Sequence, residues 1–282
     1  MGERQTEAGV WLPATFTDNH IQAVLKYLDQ GRWALSRADW RWALAGFDLL
    51  HDALADTPEG LRRFAVLYET QIEAGFADRY IVDLLALDDV SVQGTELWAR
   101  YARAIVALWR ESGWQRRLGS EARLLLAYWL FWWEAFATGY AFEVEIFRDL
   151  KASNITFIAH DIRSREGRRS LYDLEVLGLR GDIKTSLYFL RIGRSPGVRH
   201  DFYISRFRHQ RRKRMVVLLM QTAAWKRIDG ETERTTWAAI KARLPLVASV
   251  LHEEREVILV EYETWKARIL RRQQEQKETY NE

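Results

Sequence analysis

The apolar pattern of this 282-residue chain changes its period near residue 154. From Asn19 to about Leu150 apolar residues recur at helical spacing, as in Trp40-Leu44-Phe47-Leu50. After Asn154 short segments rich in β-forming residues follow, and the wholly apolar run Met215 to Met220 is typical of a buried central strand. We therefore expect an α+β or α/β chain with helices first and a sheet later.

The helical pattern predicts an N-terminal helical bundle over residues 1–135, followed by a second domain over residues 136–282. The breaks between helices do not recur at a fixed interval, which favours a compact bundle over a solenoid. Most of the 13 tryptophans lie in the first half. They mostly fall within helical apolar patterns and are predicted to pack in the core, namely Trp33, Trp40, Trp98, Trp109 and Trp129.

The residue composition and the lack of certain motifs exclude several classes of functional site. The chain has no cysteine, which excludes disulfides, thiolate zinc sites and cysteine nucleophiles, and none of its six histidines form a closely spaced helical zinc motif. Glycine-rich nucleotide loops and a serine nucleophile elbow are also missing from the sequence. The charged N-terminus and the lack of an apolar run of ~20 residues predict a cytoplasmic protein without a membrane partner.

The informative stretch runs from Leu171 to Leu190, where two β-like segments flank a turn at Gly178 to Gly181. A two-residue hairpin with Gly178 opposite Gly181 would pair Glu175 with Lys184. Strand alternation then places the polar side chains on one face, namely Asp173, Glu175, Asp182, Lys184 and Ser186. Leu174, Val176, Ile183 and Leu187 are predicted to point mainly the other way.

Several carboxylates held close together repel one another, and proteins tolerate this where a cation is bound between them. Oxygen ligands favour Mg²⁺ or Mn²⁺. Lys184 beside such an ion would hold the attacking water and stabilise charge on a phosphate. Asp173, Asp182 and Lys184 thus suffice for cleavage of a phosphodiester bond.

At these residues the chain resembles the PD-(D/E)XK nuclease superfamily. Asp173 matches the first aspartate, although no proline precedes it, and Asp182-Ile183-Lys184 matches the tripeptide in its aspartate form. The hydroxyl residues Thr185 and Ser186 are similar to those that follow the lysine in many members. The resemblance covers Gly139 to Gln221 and implies a restriction-endonuclease-like core, in which a central mixed sheet is flanked by helices.

The resemblance also implies a supporting glutamate on the first core helix of the family, which would begin at Gly139. Glu143 is the expected residue and Glu145 the alternative, and this glutamate would complete a metal site whose other ligands are Asp173 and Asp182. Asp161 is the alternative to Asp173 as first aspartate. The implied skeleton is a helix, three strands, a helix and a strand, and the implied activity is Mg²⁺-dependent (or Mn²⁺-dependent) hydrolysis of nucleic acid.

The basic segment from Arg191 to Arg214 follows the proposed catalytic strand and contains a single acid, Asp201. It is predicted to be helical and to contact phosphates. Arginines before the Asp173 strand form a second basic group. The residues expected to bind nucleic acid are Arg206, Arg208, Arg211, Arg212, Lys213, Arg168 and Arg169.

The leading hypothesis is a DNA endonuclease, with RNA left open as substrate, in a microbial defence, mobile-element or repair setting implied only by the resemblance. The rival hypothesis is a non-catalytic module that binds nucleic acid or protein on a nuclease-like scaffold. A third hypothesis gives the tryptophan-rich helical half a protein partner. The oligomeric state is left open by the sequence.

Overall fold

The computed structural model describes residues 3–5, 9–186, 199–209, 212–229, 232–243, 246–252 and 254–281. The chain forms two compact units, Met1–Thr138 and Gly139–Glu282. The boundary lies close to the one expected after residue 135. Within the described residues no helix is both long enough and apolar enough to cross a membrane.

The N-terminal unit contains helices and a small sheet of four strands in the order β1-β2-β3-β4. The strands are β1 (Glu3–Gln5), β2 (Val10–Pro13), β3 (Leu54–Thr57) and β4 (Gly60–Arg63). The helices are α1 (Asp18–Gln30), α2 (Arg37–Leu50), α3 (Phe64–Leu67), α4 (Ala74–Ala86), α5 (Val90–Glu111), α6 (Trp114–Leu118) and α7 (Ala122–Ala152), and the last of these continues past the boundary.

The N-terminal unit is mainly helical, as expected, but the sequence patterns did not predict its small sheet, part of which lies at Thr57 and Pro58. That dipeptide does not merely end a helix, because Thr57 pairs with Gly60 across a hairpin between β3 and β4. The hydroxyl of Thr57 donates to the carbonyl of Gly60 at 2.7 Å and closes the turn. Proline favours this geometry because its ring presets the backbone angle of a turn.

Aromatic residues of α7 form much of the N-terminal core. Trp129 and Trp133 are fully buried, and Trp129 packs edge-on against Trp114 with ring centroids 6.2 Å apart. Trp109 is also buried, as predicted. Trp33, by contrast, is 82% exposed, so its assignment to the core was wrong. It lies in a single 3₁₀ turn, Arg32–Ala34, where the helical period does not apply.

The C-terminal unit is built on one mixed sheet of eight strands, in the order β10-β11-β12-β9-β8-β7-β6-β5. The strands are β5 (Ile158–Ala159), β6 (Leu174–Val176), β7 (Leu179–Lys184), β8 (Phe202–His209), β9 (Arg212–Leu219), β10 (Glu233–Arg234), β11 (Ala248–His252) and β12 (Arg255–Glu261). The helices after α7 are α8 (Thr222–Asp229), α9 (Trp237–Arg243) and α10 (Tyr262–Asn281). The expected α+β class with a mixed sheet and helices is thus confirmed.

Both faces of this sheet are covered, because alternate residues of a strand point to opposite sides. On β9, Val217 and Leu219 pack in a core with Phe142 of α7 and Trp265 of α10. Val216 and Leu218 pack instead in a second core, which includes a residue of α9. The prediction that Met215 to Met220 contains a buried central strand is confirmed, since β9 lies between β12 and β8.

The helix expected within the basic segment was wrong where the chain is described. Residues 202–209 and 212–219 form the antiparallel pair β8 and β9. Residues 187–198, which include Leu187, lie outside the described residues. Alternation explains the difference, because Phe202 and Ile204 face one core while Tyr203 faces the other. The arginine-rich composition concealed that strand period.

Candidate functional site

The hairpin of β6 and β7 presents the acidic residues predicted to be catalytic. Its turn consists of Leu177 and Gly178, both with positive φ, at 53° and 76°. Val176 therefore pairs with Leu179, and Glu175 pairs with Arg180. The expected pairing of Gly178 with Gly181, and of Glu175 with Lys184, was wrong, because the turn falls two residues earlier and uses Gly178 for its left-handed backbone.

This shift preserves the alternation that decides which side chains share a face. Leu174, Val176 and Ile183 are all buried in the core, as predicted. Asp173 and Asp182 therefore lie on the opposite face of the hairpin. Ser186 lies beyond the end of β7 and is exposed.

Three residues from separate parts of the C-terminal unit converge in a group that could hold a metal ion. Glu143 of α7, His160 after β5 and Asp173 before β6 each offer one ligand atom, and these atoms lie within 4.8 Å of one another. His160 Nε2 is 2.9 Å from Glu143 Oε2 and 4.0 Å from Asp173 Oδ1. The three side chains are 5–15% exposed, so water screens their charges only weakly.

Strand pairing brings His160 to this group. β5 pairs with β6 in antiparallel register, and the backbone N–H of His160 donates to the carbonyl of Asp173 at 2.9 Å. The ring's Nδ1 lies 3.1 Å from the carbonyl of Gly167. Metal-binding histidines often hold their second nitrogen against a backbone carbonyl in this way, because the contact fixes the ring's tautomer and orientation.

Both ring nitrogens of His160 face acceptors, so the doubly protonated ring satisfies both contacts when no metal is bound. Burial by itself lowers the pKa of His160, but the hydrogen bond to Glu143 and the charge of that carboxylate outweigh it. The pKa of His160 is therefore raised. The neutral ring would be free to offer Nε2 to a cation.

Asp173 is surrounded by negative charge. Burial, the charge of Glu143 and a hydrogen bond shared with Asp182 raise its pKa well above the usual range for an aspartate. The backbone N–H of Ile183 donates to Asp173 Oδ2 at 2.7 Å and lowers the pKa by less than the other effects raise it. A divalent cation would stabilise the ionised form that this environment otherwise disfavours.

Lys184 pairs with Asp182. Its Nζ lies 2.8 Å from Oδ1 and 2.7 Å from Oδ2 of that carboxylate. Burial lowers the pKa of Lys184, but Asp182 together with the more distant charges of Asp173 and Glu143 outweighs burial and raises it. The ammonium group thus stays charged beside the acidic group.

His200 lies on the other side of Asp182, with Nε2 3.6 Å from Oδ2. It is placed by the hydroxyl of Tyr203, which accepts the backbone N–H groups of Arg199 and His200 at 3.0 and 3.3 Å. Burial lowers the pKa of His200 more than the charge of Asp182 raises it. Two histidines therefore flank the carboxylates.

The alternatives considered for the site lie in other contacts. Glu145 forms an ion pair with Arg206, whose guanidinium is also 4.0 Å from the ring centroid of Phe142. Asp161 is exposed, and its carboxylate accepts the backbone N–H of Arg163 at 3.0 Å. Neither belongs to the group of three ligand atoms found among the described residues.

The predicted phosphate-binding residues have different surroundings. Arg206 is half-buried against Glu145, and Arg168 donates to the carbonyls of Ile162 and Arg163 at 3.1 and 3.2 Å. Arg169 is exposed. Of the remaining residues, Arg208 belongs to β8, and Arg212 and Lys213 belong to β9. Arg211 lies outside the described residues.

Sequence reasoning missed His160 and His200. They are far apart in the chain and do not form the closely spaced histidine pair of a helical zinc motif. The available signal was that His160 lies two residues after a β-like segment, Ile155 to Ile158, that precedes the Asp173 strand. Pairing of these neighbouring strands would have placed a histidine beside Asp173.

Compared with protein-family models, curated proteins and solved structures, the chain shows no significant match. Two buried carboxylates with one imidazole, next to an aspartate–lysine pair, make up a donor set that suits a hard divalent cation, and the imidazole nitrogen favours Mn²⁺ over Mg²⁺.

Proposed function

We propose that this chain is a metal-dependent nuclease that hydrolyses phosphodiester bonds, with DNA as its main substrate. The observation that carries the proposal is the proximity of a buried Glu143–His160–Asp173 group to the Asp182–Lys184 pair. Carboxylates grouped beside a charged lysine cost stability in a scaffold that binds no cation. A nuclease needs this combination, because its substrate and transition state are both anionic.

In the proposed mechanism Glu143 and Asp173 bind the metal, with His160 as a third ligand and Asp182 beside them. A divalent cation bound there would lower the pKa of a bound water molecule and neutralise charge on the phosphate. Lys184 holds the attacking water and stabilises the charge that builds on the phosphate oxygens. Asp182 positions Lys184, since both of its oxygens lie within hydrogen-bonding distance of the ammonium group.

The strand arrangement supports the same class. Strands β5, β6 and β7 are antiparallel neighbours, β8 lies parallel to β7, and α7 contributes Glu143 before them. This arrangement resembles the proposed PD-(D/E)XK core, in which a hairpin carries the first aspartate and the tripeptide. The chain departs from that pattern at Tyr172, where the family motif has proline.

The proposed setting follows from composition. A chain of this length without cysteine suits the reducing cytoplasm, and we propose that it acts there on nucleic acid. Its formal charge of +3 and pI near 9.1 favour a polyanionic substrate. We also propose that the N-terminal unit binds a protein partner.

Cleavage assays with purified protein test the proposal. Plasmid, linear duplex, single-stranded DNA and RNA are incubated with Mg²⁺, Mn²⁺ or EDTA, and Asp182→Asn and Lys184→Ala are compared with the wild type. We expect metal-dependent cleavage that both substitutions abolish. Glu261→Gln is the matched control, because Glu261 pairs with Arg214 in the same sheet at 3.5 Å and takes no part in the mechanism.

Cleavage that survives both site substitutions, or that persists in EDTA, would refute the proposed site. Metal and nucleic acid binding without cleavage of any of the four substrates would instead favour the non-catalytic module. Binding is followed by fluorescence anisotropy, and the folded state of each variant by circular dichroism.

A further inference from the structure

The N-terminal unit carries aromatic side chains that its core leaves uncovered. Trp33 is 82% exposed and Trp42 is 43% exposed, whereas Trp114, Trp129 and Trp133 of the same unit are at most 2% exposed. An exposed tryptophan leaves a large apolar ring in contact with water, which costs free energy unless a ligand covers it. Trp33 therefore offers a large, flat apolar ring to a ligand.

The surroundings of Trp33 form a stacking platform. The guanidinium of Arg32 lies 5.7 Å from the ring centroid of Trp33 and 4.7 Å from that of Trp40. Trp40 is anchored in turn, with its ring centroid 6.3 Å from that of Tyr27 and 6.4 Å from that of Phe131. Arg32 is thus held over a fixed aromatic ring, while Trp33 presents its ring to solvent.

The helix that carries Trp40, α2, also carries two cations that are suited to an anion. Arg37 and Arg41 are exposed and lie one turn apart on α2, so they share a side of that helix. The acid between them, Asp39, is bound to Lys26 at 2.6 Å. Across the part of the chain that the structure describes, no carboxylate lies within ion-pairing distance of Arg32, Arg37 or Arg41.

We propose that Trp33, Arg32 and Trp40, with Arg37 and Arg41, bind single-stranded nucleic acid. An unpaired base stacks on the exposed ring of Trp33, and the arginines contact the neighbouring phosphates. A single strand is the occupant because its bases offer open faces, whereas those of a duplex are already stacked on one another. This platform belongs to the N-terminal unit, so the inference goes beyond the proposed nuclease and holds whether or not the metal site cleaves.

Fluorescence anisotropy of a labelled 15-nucleotide oligothymidine, titrated with the full chain in EDTA, measures this binding. We expect Trp33→Ala and Arg32→Ala to weaken binding by about five- to a hundredfold, the effect of losing one stacked base. Trp33→Tyr keeps an aromatic face and should recover most of the affinity. The matched control is Val92→Ala, since Val92 is 71% exposed in the same unit and is not aromatic.

A crosslinking experiment locates the contact directly. An oligonucleotide containing 5-iodouracil is irradiated with the wild-type chain, and the adduct is mapped by mass spectrometry to the peptide that contains Trp33. Unchanged affinity of Trp33→Ala, or an equal loss in Val92→Ala, would overturn the proposal. So would a Trp33→Ala variant that alters the sedimentation coefficient but not oligonucleotide binding, which would assign the platform to self-association.

The two proposals fail separately. EDTA removes cleavage from the binding assay, so a Trp33-dependent affinity survives even if the chain never hydrolyses DNA. Conversely, metal-dependent cleavage that is abolished in Asp182→Asn supports the nuclease even if Trp33→Ala binds the oligonucleotide normally. Retained thermal midpoints in the Trp33 variants show that any lost affinity is local, as expected for an exposed ring.

Discussion

Lys184 holds both carboxylate oxygens of Asp182, at 2.8 and 2.7 Å, across one intervening residue of β7. Residues two apart on a strand point to the same side, so the backbone itself places the acid and the amine together. Asp182 is buried, so removal of Lys184 would leave a poorly solvated carboxylate behind. The pair therefore couples stability to the proposed chemistry.

We expect Lys184→Met to lower single-turnover cleavage of plasmid DNA by about 10²- to 10³-fold, the cost of losing one donor aimed at developing charge. Metal binding should persist, because the ligands proposed are other residues. Lys184→Arg should recover little activity, since a guanidinium has a different shape and donor geometry. Cleavage by Lys184→Met at the wild-type rate would exclude lysine from the mechanism.

Replacement of His160 should change the choice of metal. If Nε2 is a ligand, His160→Ala should weaken Mn²⁺ binding by about tenfold or more and Mg²⁺ binding by less, because an imidazole nitrogen contributes more to the softer ion. Electron paramagnetic resonance of free Mn²⁺ and calorimetry with Mg²⁺ measure the two affinities. His252→Ala serves as the control, since His252 ends β11 and is not part of the metal-binding group.

The metal-free chain should become less stable as the pH rises. The pKa of Asp173 is raised in the folded state, so between its ordinary pKa and the raised one the folded state binds more protons than the unfolded state. The contribution of Asp173 to the free energy of unfolding therefore falls as the pH rises from its ordinary pKa to the raised one. In EDTA, the stability difference between Asp173→Asn and wild type should grow from pH 4 to pH 8 by more than about 1.4 kcal/mol, the free energy of one pKa unit. Urea unfolding at several pH values tests it, and a constant difference would contradict it.

Glycine 181 should be required for the hairpin to pack against β8. A Cβ atom there would lie 2.2 Å from the ring of Phe202, which is fully buried and lies beside Gly181 in the sheet. Gly181→Ala should therefore destabilise the chain by about 3 kcal/mol and also shift the position of the adjacent Asp182. Gly75→Ala is the matched control, because nothing lies within 4 Å of its added methyl group. Thermal unfolding distinguishes the two.

Binding of a cation should stabilise the fold. At a concentration 100 times its Kd, a metal that binds only the folded state adds about 2.7 kcal/mol. The thermal midpoint should therefore rise with Mn²⁺ in the wild type but not in Glu143→Gln, which lacks a buried carboxylate of the group. An equal rise in both proteins would place the ion elsewhere.

Local sequence patterns predicted several features because they depend on nearby residues. The period of two in β6 and β7 predicted that Leu174 and Ile183 would point away from the face that Asp173 and Asp182 share, and both of these apolar residues lie in the core. A shift of the turn by two residues leaves that result unchanged. The apolar run of β9 likewise needed only its own composition to be recognised as a buried strand.

Tertiary structure alone decided which distant residues meet. His160 reaches Asp173 because β5 pairs with β6, and Glu143 reaches both from α7, whereas Glu145 is taken up by Arg206. Strand partners and helix packing depend on contacts far apart in the chain, which no local period encodes. The amino-acid sequence sets which chemical groups are available and which strand faces they occupy. The packed fold decided which of them lie within reach of one ion, because that distance is set by long-range pairing.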